Sequence, residues 1–201
     1  MPPTYERKDH YYKKAKAEGL ASRAVYKLEE MDRRFKLIPK GGRVVDLGCA
    51  PGGWLQYAAK KVGPSGKVVG IDLLPVQAAL PSQVKVLQGD ASDSKLQEEC
   101  MKILESAADA VLSDMSPNLS GITFRDQALS YELAEGVLRA ARTMLRTKGA
   151  LLLKTFPGEQ TAELKKELKK NFEEIKTYIP EATRKGSSEI YLAALGFKGK
   201  T

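Results

Sequence analysis

Three apolar stretches of this 201-residue chain end in aspartate. Arg43–Gly48 (RVVDLG) contains Asp46, Lys67–Asp72 (KVVGID) closes on Asp72, and Val84–Leu87 is followed by Gln88-Gly89-Asp90. An acid at the end of a strand can accept hydrogen bonds from ribose hydroxyls. Asp72 suits that task, and Asp90 suits an adenine amino group. A lone acid after a strand is often only a helix cap, but three in succession point to an adenosine site. The turn after Asp46, Leu47-Gly48-Cys49-Ala50-Pro51-Gly52-Gly53-Trp54, is rich in glycine, which lets a backbone approach a ligand closely. It is neither a P-loop, since no Gly-Lys-Ser/Thr follows, nor a GxGxxG loop.

No phosphate-binding lysine accompanies these acids. Carboxylates disfavour a polyphosphate and suit an adenosine with a cationic end. S-adenosylmethionine, which carries a sulfonium, has that profile. Two further apolar runs end in reactive types: Ser113-Asp114-Met115-Ser116-Pro117-Asn118 and Lys154-Thr155-Phe156-Pro157-Gly158. Lysine is rarely buried without a partner. A lysine closing an apolar strand can be a snorkelling surface residue, but beside the ligand edge it reads as catalytic.

These residues need a scaffold that brings strand ends together. Apolar positions at Leu20, Ala24, Val25, Leu28, Met31 and Phe35 predict a helix over 20–35 with Ser22 as its cap. Strands then alternate with helices: strand 43–48, helix 52–62, strand 67–72, an irregular link 75–80, strand 84–87, helix 94–106, strand 110–113, helix 126–147, strand 150–154, helix 159–171, and final strands 173–179 and 189–195. This pattern is an α/β fold with a mostly parallel sheet covered by helices on both faces. Such sheets bind ligands at the carboxyl ends of their strands. Residues 1–18 are polar and expected to be poorly ordered alone, with one domain over 19–201.

Composition excludes several classes. No apolar run approaches the ~20 residues of a bilayer span, and the first residues lack a signal core. Two cysteines, Cys49 and Cys100, build no disulfide framework, and the single histidine, His10, leaves too few ligands for structural zinc. A cytoplasmic protein without metal is expected. The net charge of +8 is unevenly spread: +6 over residues 1–43, −4 over 44–140 and +6 over 141–201. Tyr5, Tyr11, Tyr12 and Tyr26 interleave the first basic segment. Stacking rings and phosphate-holding cations suit RNA or single strands, whereas the lysines of 165–170 read as a solvated helix face.

The sequence resembles the FtsJ-like ribosomal RNA ribose 2′-O-methyltransferases from about Tyr11 to Phe197. The resemblance rests on Ser22–Leu28 (SRAVYKL), Asp46–Trp54 (DLGCAPGGW), Asp114–Asn118 (DMSPN), Leu153–Phe156 (LKTF) and Ser187–Tyr191 (SSEIY). Tyr26 and Cys49 depart from the common pattern, where Phe and a small residue often stand. The resemblance implies a single-domain, Rossmann-like methyltransferase fold of seven strands, with the last strand antiparallel and inserted beside the fifth. It implies cofactor contacts from Gly52, Trp54, Asp72, Asp90 and Asp114, and a catalytic set of Lys27, Asp114, Lys154 and Glu189. The implied substrate is a uridine ribose in large-subunit ribosomal RNA; the charge distribution makes the basic flanks the expected RNA grip, and a monomer with neither DNA nor membrane as partner is expected. Without that pattern, Lys27 and Glu189 read as surface charges, and Trp54 admits a core role.

The expected mechanism has Lys154 as base or as the group that steers the 2′-hydroxyl. A lysine acts as base only when partly neutral, and its ordinary pKa is ~10.4. Burial and a second cation, Lys27, would lower it, while Asp114 and Glu189 orient the two ammonium groups. Most of the acceleration would come from placement of the reactants. The alternatives are methylation of transfer RNA or another RNA, a ribosome-assembly factor with dispensable catalysis, and a small-molecule methyltransferase, which the basic flanks disfavour.

Overall fold

The computed structural model describes residues 10–117, 120, 121, 123–184 and 186–199. Tyr5 and Asn118, singled out above, lie outside them. The elements are α1 (His10–Ala17), α2 (Val25–Phe35), β1 (Arg43–Leu47), α3 (Gly53–Val62), β2 (Lys67–Asp72), β3 (Val84–Gln88), α4 (Ser94–Leu104), β4 (Ala108–Ser113), α5 (Thr123–Met144), β5 (Leu145–Thr155), α6 (Glu159–Asn171), β6 (Phe172–Tyr178) and β7 (Ile190–Phe197). The seven strands form one sheet in the order β3-β2-β1-β4-β5-β7-β6. The pairs among β1 to β5 are parallel, and β7 runs antiparallel to both β5 and β6. Strand direction from β1 builds outward both ways, so the crevice between the ends of β1 and β4 is the switch point where such sheets hold ligands.

Side-chain alternation along each strand divides the core. Val45, Leu47, Val111, Leu151 and Leu153 face α4, α5 and α6, while Val44, Leu112, Leu152, Tyr191 and Ala193 face α2 and α3. The same two-residue period carries Asp46, Asp114 and Lys154 to the second face. The register then sets Lys154 directly opposite Tyr191 across β5 and β7. Four polar side chains from four strands or strand ends therefore converge beneath α2.

Several boundaries differ from the expected ones. Helix α2 starts at Val25, with Ala24 at its N-cap and no side-chain cap bond. Ser22 instead packs against Gly53, where an added Cβ would lie 2.5 Å from its Oγ. Helix α5 stops at Met144, and β5 begins at Leu145 rather than near 150. A register shift between Ala108 and Ala110, with Lys148 at φ 67°, makes room for that early start. Residues 10–17, expected to be poorly ordered, form α1, whose Ala15 is buried with Val25, Tyr26 and Ala182. Among the described residues no helix is long and apolar enough to cross a membrane.

Candidate active site

The glycine-rich turn after β1 builds the floor. Gly48 sits at φ 76°, and a Cβ there would come within 2.1 Å of Met115 Cγ, so only glycine lets the β1 and β4 ends meet so closely. Gly52, at φ 111°, leads into α3 and faces Val76 and Ala78. A cavity of about 130 Å³ opens at this crevice, lined among others by Asp46, Gly48, Gly53, Trp54 and Asp114. Trp54 is 4% exposed and its Nε1 donates to the Ala24 carbonyl at 2.8 Å. It thus both lines the cavity and fixes the start of α2.

Asp46 is the unexpected member. It is 1% exposed, and its Oδ2 has no hydrogen-bond partner. Burial pushes its pKa well above the carboxylate range, and the charges of Asp114 and Asp72 add to the rise. A buried carboxylate oxygen without a donor is costly, and here it borders the cavity, so it fits a ligand bearing a cation or an N–H. The sequence placed Asp46 at a strand end but assigned it no role. Burial also pushes the neighbouring Cys49 thiol up, with Asp46 and Asp72 contributing. Cys49 and Cys100 are both buried free thiols.

The other two acids are partly occupied by backbone. Asp72 accepts from Ala50 N at 2.7 Å through Oδ2 and from Leu74 N at 2.8 Å through Oδ1. It therefore holds the glycine-rich turn in shape, and each oxygen keeps a second lone pair for a hydroxyl. Asp90 is exposed and accepts from Ser92 N at 2.8 Å, a bond that lowers its pKa. Both stand beyond the cavity along the carboxyl edge, at the ends of β2 and β3. The run from Asp114 and Asp46 to Asp72 and Asp90 matches an elongated ligand lying across the strand ends.

Lys27, Asp114, Lys154 and Glu189 are brought together, although Lys27 and Glu189 lie 162 positions apart. Lys27 Nζ is paired with the Glu189 carboxylate and lies 3.2 Å from the Tyr191 hydroxyl. That hydroxyl donates to Asp114 Oδ1 at 2.6 Å, and Lys154 Nζ lies 3.1 Å from the same oxygen. Lys154 also donates to the Asp114 carbonyl at 2.5 Å. Each ammonium group has its own carboxylate, and Tyr191 joins the two pairs. Tyr191 is fully buried, and burial beside Asp114 and Glu189 drives its pKa far upward, so it stays a neutral hydroxyl. Sequence reasoning passed over it because a tyrosine inside ILE-TYR-LEU-like apolar strand sequence reads as core. The signal available was its place two residues after Glu189.

The basic N-terminal face is partly self-satisfied. Tyr26 is 6% exposed, its ring is covered by Lys14 Nζ at 4.5 Å, and its hydroxyl donates to Glu18 at 3.0 Å. Arg23 lies 5.6 Å from the Tyr11 ring centroid. Tyr26 is therefore no stacking platform for a base, contrary to the sequence expectation. Tyr12 is 40% exposed.

Residues 20–197 match the family model for FtsJ-like methyltransferase. The chain is 43% identical over 194 residues to ribosomal RNA large subunit methyltransferase E of Methanothermobacter thermautotrophicus, covering 96% of this chain and 92% of that one. It is 45% identical to the protein of the same name from Syntrophobacter fumaroxidans, covering 96% and 97%. A Plasmodium falciparum structure bearing a ribosomal RNA methyltransferase name superposes with TM-score 0.78 at 28% identity, covering 90% of this chain and all of that one. Aeropyrum pernix fibrillarin, solved with natively bound S-adenosyl-L-methionine, superposes with TM-score 0.60 at 22% identity over 85% and 76% of the two chains, a likeness of fold. The switch-point crevice, the acids along it and the polar set beneath α2 thus sit within a match spanning nearly the whole sequence, and the chain belongs to the FtsJ-like methyltransferase family.

Proposed function

We propose that this chain methylates a ribose 2′-hydroxyl, that of a uridine, in large-subunit ribosomal RNA, with S-adenosyl-L-methionine as methyl donor. The observation that carries the reading is the continuous chain Lys27–Tyr191–Asp114–Lys154, in which the Asp114 carboxylate also borders the crevice. The donor set of the crevice fits the cofactor. The orphaned Asp46 oxygen and Asp114 suit its cationic end, Asp72 suits the ribose, Asp90 the adenine amino group, and Gly52 and Trp54 shape the approach. When bound, the cofactor supplies an electrophilic methyl group on a sulfonium.

The chain's own residues do the rest. As an ammonium, Lys154 has three N–H donors. Two directions are taken by Asp114, at its Oδ1 and its carbonyl, which leaves one direction of Nζ for the acceptor hydroxyl. Lys154 therefore holds that oxygen at the crevice by an N–H bond, and the hydroxyl proton is released to solvent rather than to the ammonium. Asp114 uses Oδ1 for both Tyr191 and Lys154, so its position is set by two donors before any ligand arrives. Lys27 and Glu189 close the far end and fix Tyr191. Preorganisation of this kind contributes rate through placement rather than through new chemistry. The ribosomal substrate is supported by the relatives' names and by the basic flanks.

The reading is tested by incubating the chain with S-adenosylmethionine and large subunits, naked ribosomal RNA or transfer RNA, then mapping 2′-O-methyl positions. A new 2′-O-methyl uridine in large-subunit RNA is expected, lost in Lys154→Ala while cofactor binding persists. Asp72→Ala should weaken cofactor binding first. A methyl group on a base, or near wild-type single-turnover rates for Lys154→Ala, overturns the reading.

A further inference from the structure

Arg23, Lys27, Glu30 and Arg34 are spaced four, three and four residues apart, so they fall on one side of α2 and the turn before it. All four reach the stretch from Tyr178 to Tyr191. Arg23 Nη2 donates to the Ala182 carbonyl. Lys27 holds Glu189 and the Tyr191 hydroxyl. Glu30 Oε1 accepts the Tyr178 hydroxyl at 2.6 Å, and its carboxylate accepts Glu181 N–H at 2.9 Å through Oε2 and 3.2 Å through Oε1. Arg34 lies 5.1 Å from the centroid of the Tyr178 ring. On its other side α2 is fixed independently by Asp32, which is 1% exposed. Asp32 accepts from Ile38 N at 2.9 Å and the Tyr57 hydroxyl at 2.9 Å, and pairs with Lys61 at 3.0 Å.

The stretch between β6 and β7 carries no helix or strand among its described residues, yet it delivers Glu189. Its course over α2 is set by polar contacts at a few points, of which Glu30 makes three. The hydrogen bond to Glu30 is the largest influence raising the Tyr178 pKa, in keeping with a close contact. Glu30 does not line the crevice, so its influence on the chemistry has to pass through Lys27 and Glu189.

We infer that Glu30 is a positioning residue for methyl transfer: it locks the Tyr178–Glu181 stretch to α2 and thereby sets where Glu189 meets Lys27. The inference rests on the proposed reaction, because Lys27 and Glu189 matter only on its acceptor side. Glu30→Ala leaves the Tyr178 hydroxyl and the Glu181 amide without their acceptor and lets the stretch move relative to α2. Misplacement on the order of 1 Å at a reacting group lowers rates by up to about a hundredfold.

The test combines amide hydrogen exchange with single-turnover transfer to large-subunit RNA for wild type, Glu30→Ala, Glu30→Gln, Glu189→Ala and the Glu30→Ala/Glu189→Ala double variant. Glu30→Ala is expected to speed exchange across 181–190 without speeding it in β1 or β4. It should slow transfer roughly tenfold to a hundredfold and leave the cofactor Kd within about twofold. Glu30→Gln, whose amide oxygen still accepts, should recover most of both. In the Glu189→Ala background Glu30→Ala should cost nothing further, because both act on one contact. Independent, multiplicative losses in the double variant, or unchanged exchange across 181–190, overturn the inference. Local exchange that behaves as expected, with no transfer to RNA even by wild type, leaves the lock standing and refutes the proposed reaction instead.

Discussion

Tyr191→Phe removes one oxygen and keeps the ring, so it isolates the hydroxyl that joins the two lysine–carboxylate pairs. In the folded chain that oxygen donates to Asp114 Oδ1 at 2.6 Å and receives Lys27 Nζ at 3.2 Å. The ring itself is fully buried, packed 6.3 Å from Trp54 centroid to centroid, so Phe fills the space without a cavity. Lys27 keeps Glu189 and Asp114 keeps Lys154, so no charge is stranded. The loss is that of hydrogen bonds to charged groups in a buried site, about 1.5–3 kcal/mol. If the bond to Asp114 positions the reacting groups, that energy appears in the barrier. At 1.36 kcal/mol per tenfold, the rate falls roughly 10- to 150-fold. The assay is single-turnover methyl transfer at saturating RNA and S-adenosylmethionine, with urea unfolding in parallel. A rate within about twofold of wild type, with unfolding free energy reduced, would show that the hydroxyl stabilises the fold without placing Asp114. An unchanged rate and an unchanged stability would refute the network altogether.

Two other outcomes follow from the charges. Asp46→Asn should raise stability at neutral pH. The folded-state pKa of Asp46 is raised above its unfolded value, so the stability associated with the protonated form is full below pH ~4 and is lost as pH rises through the folded pKa. The advantage of Asn in urea unfolding should therefore vanish near pH 4 and be clear at pH 8, and a pH-independent difference would disprove the sign. The two +6 flanks around a −4 centre predict that RNA affinity falls steeply with salt while cofactor affinity does not. Equal slopes in filter binding and calorimetry would return the flanking lysines to the role of solvated surface.

The scaffold was legible because each of the five parallel strands announces itself twice, by apolar residues and by the acid or lysine that ends or follows it. Asp46, Asp72, Asp114 and Lys154 all stand where alternating strands and helices put them. The antiparallel β7 beside β5 came from the family resemblance, since no local pattern says between which strands the last one inserts. The pairing of Lys27 with Glu189 was likewise invisible to spacing, because it is made by tertiary packing of α2 on β7. Tyr191 was missed because its polar atom is one oxygen on a large apolar ring. Asp72 was read as a pure ligand contact, whereas its carboxylate also binds two backbone amides. Amides that need an acceptor leave no mark in a sequence. The overestimated stacking role of Tyr26 has the same root: composition shows aromatic and basic residues near one another, not that they already satisfy each other.

The insertion of β7 between β5 and β6 has a consequence for how the molecule is made. Strand β6 pairs only with β7, so it has no place in the sheet until the residues after it have been synthesised. The parallel set β1 to β5, with Asp46, Asp72, Asp90, Asp114 and Lys154, is complete some 35 residues earlier in the sequence. A chain emerging from the ribosome can therefore assemble the crevice first, while Glu189 and Tyr191 arrive last and close the acceptor side. Under the proposed reaction, the order of synthesis sets the ligand crevice before the acceptor side, and the final strand is the element that joins them.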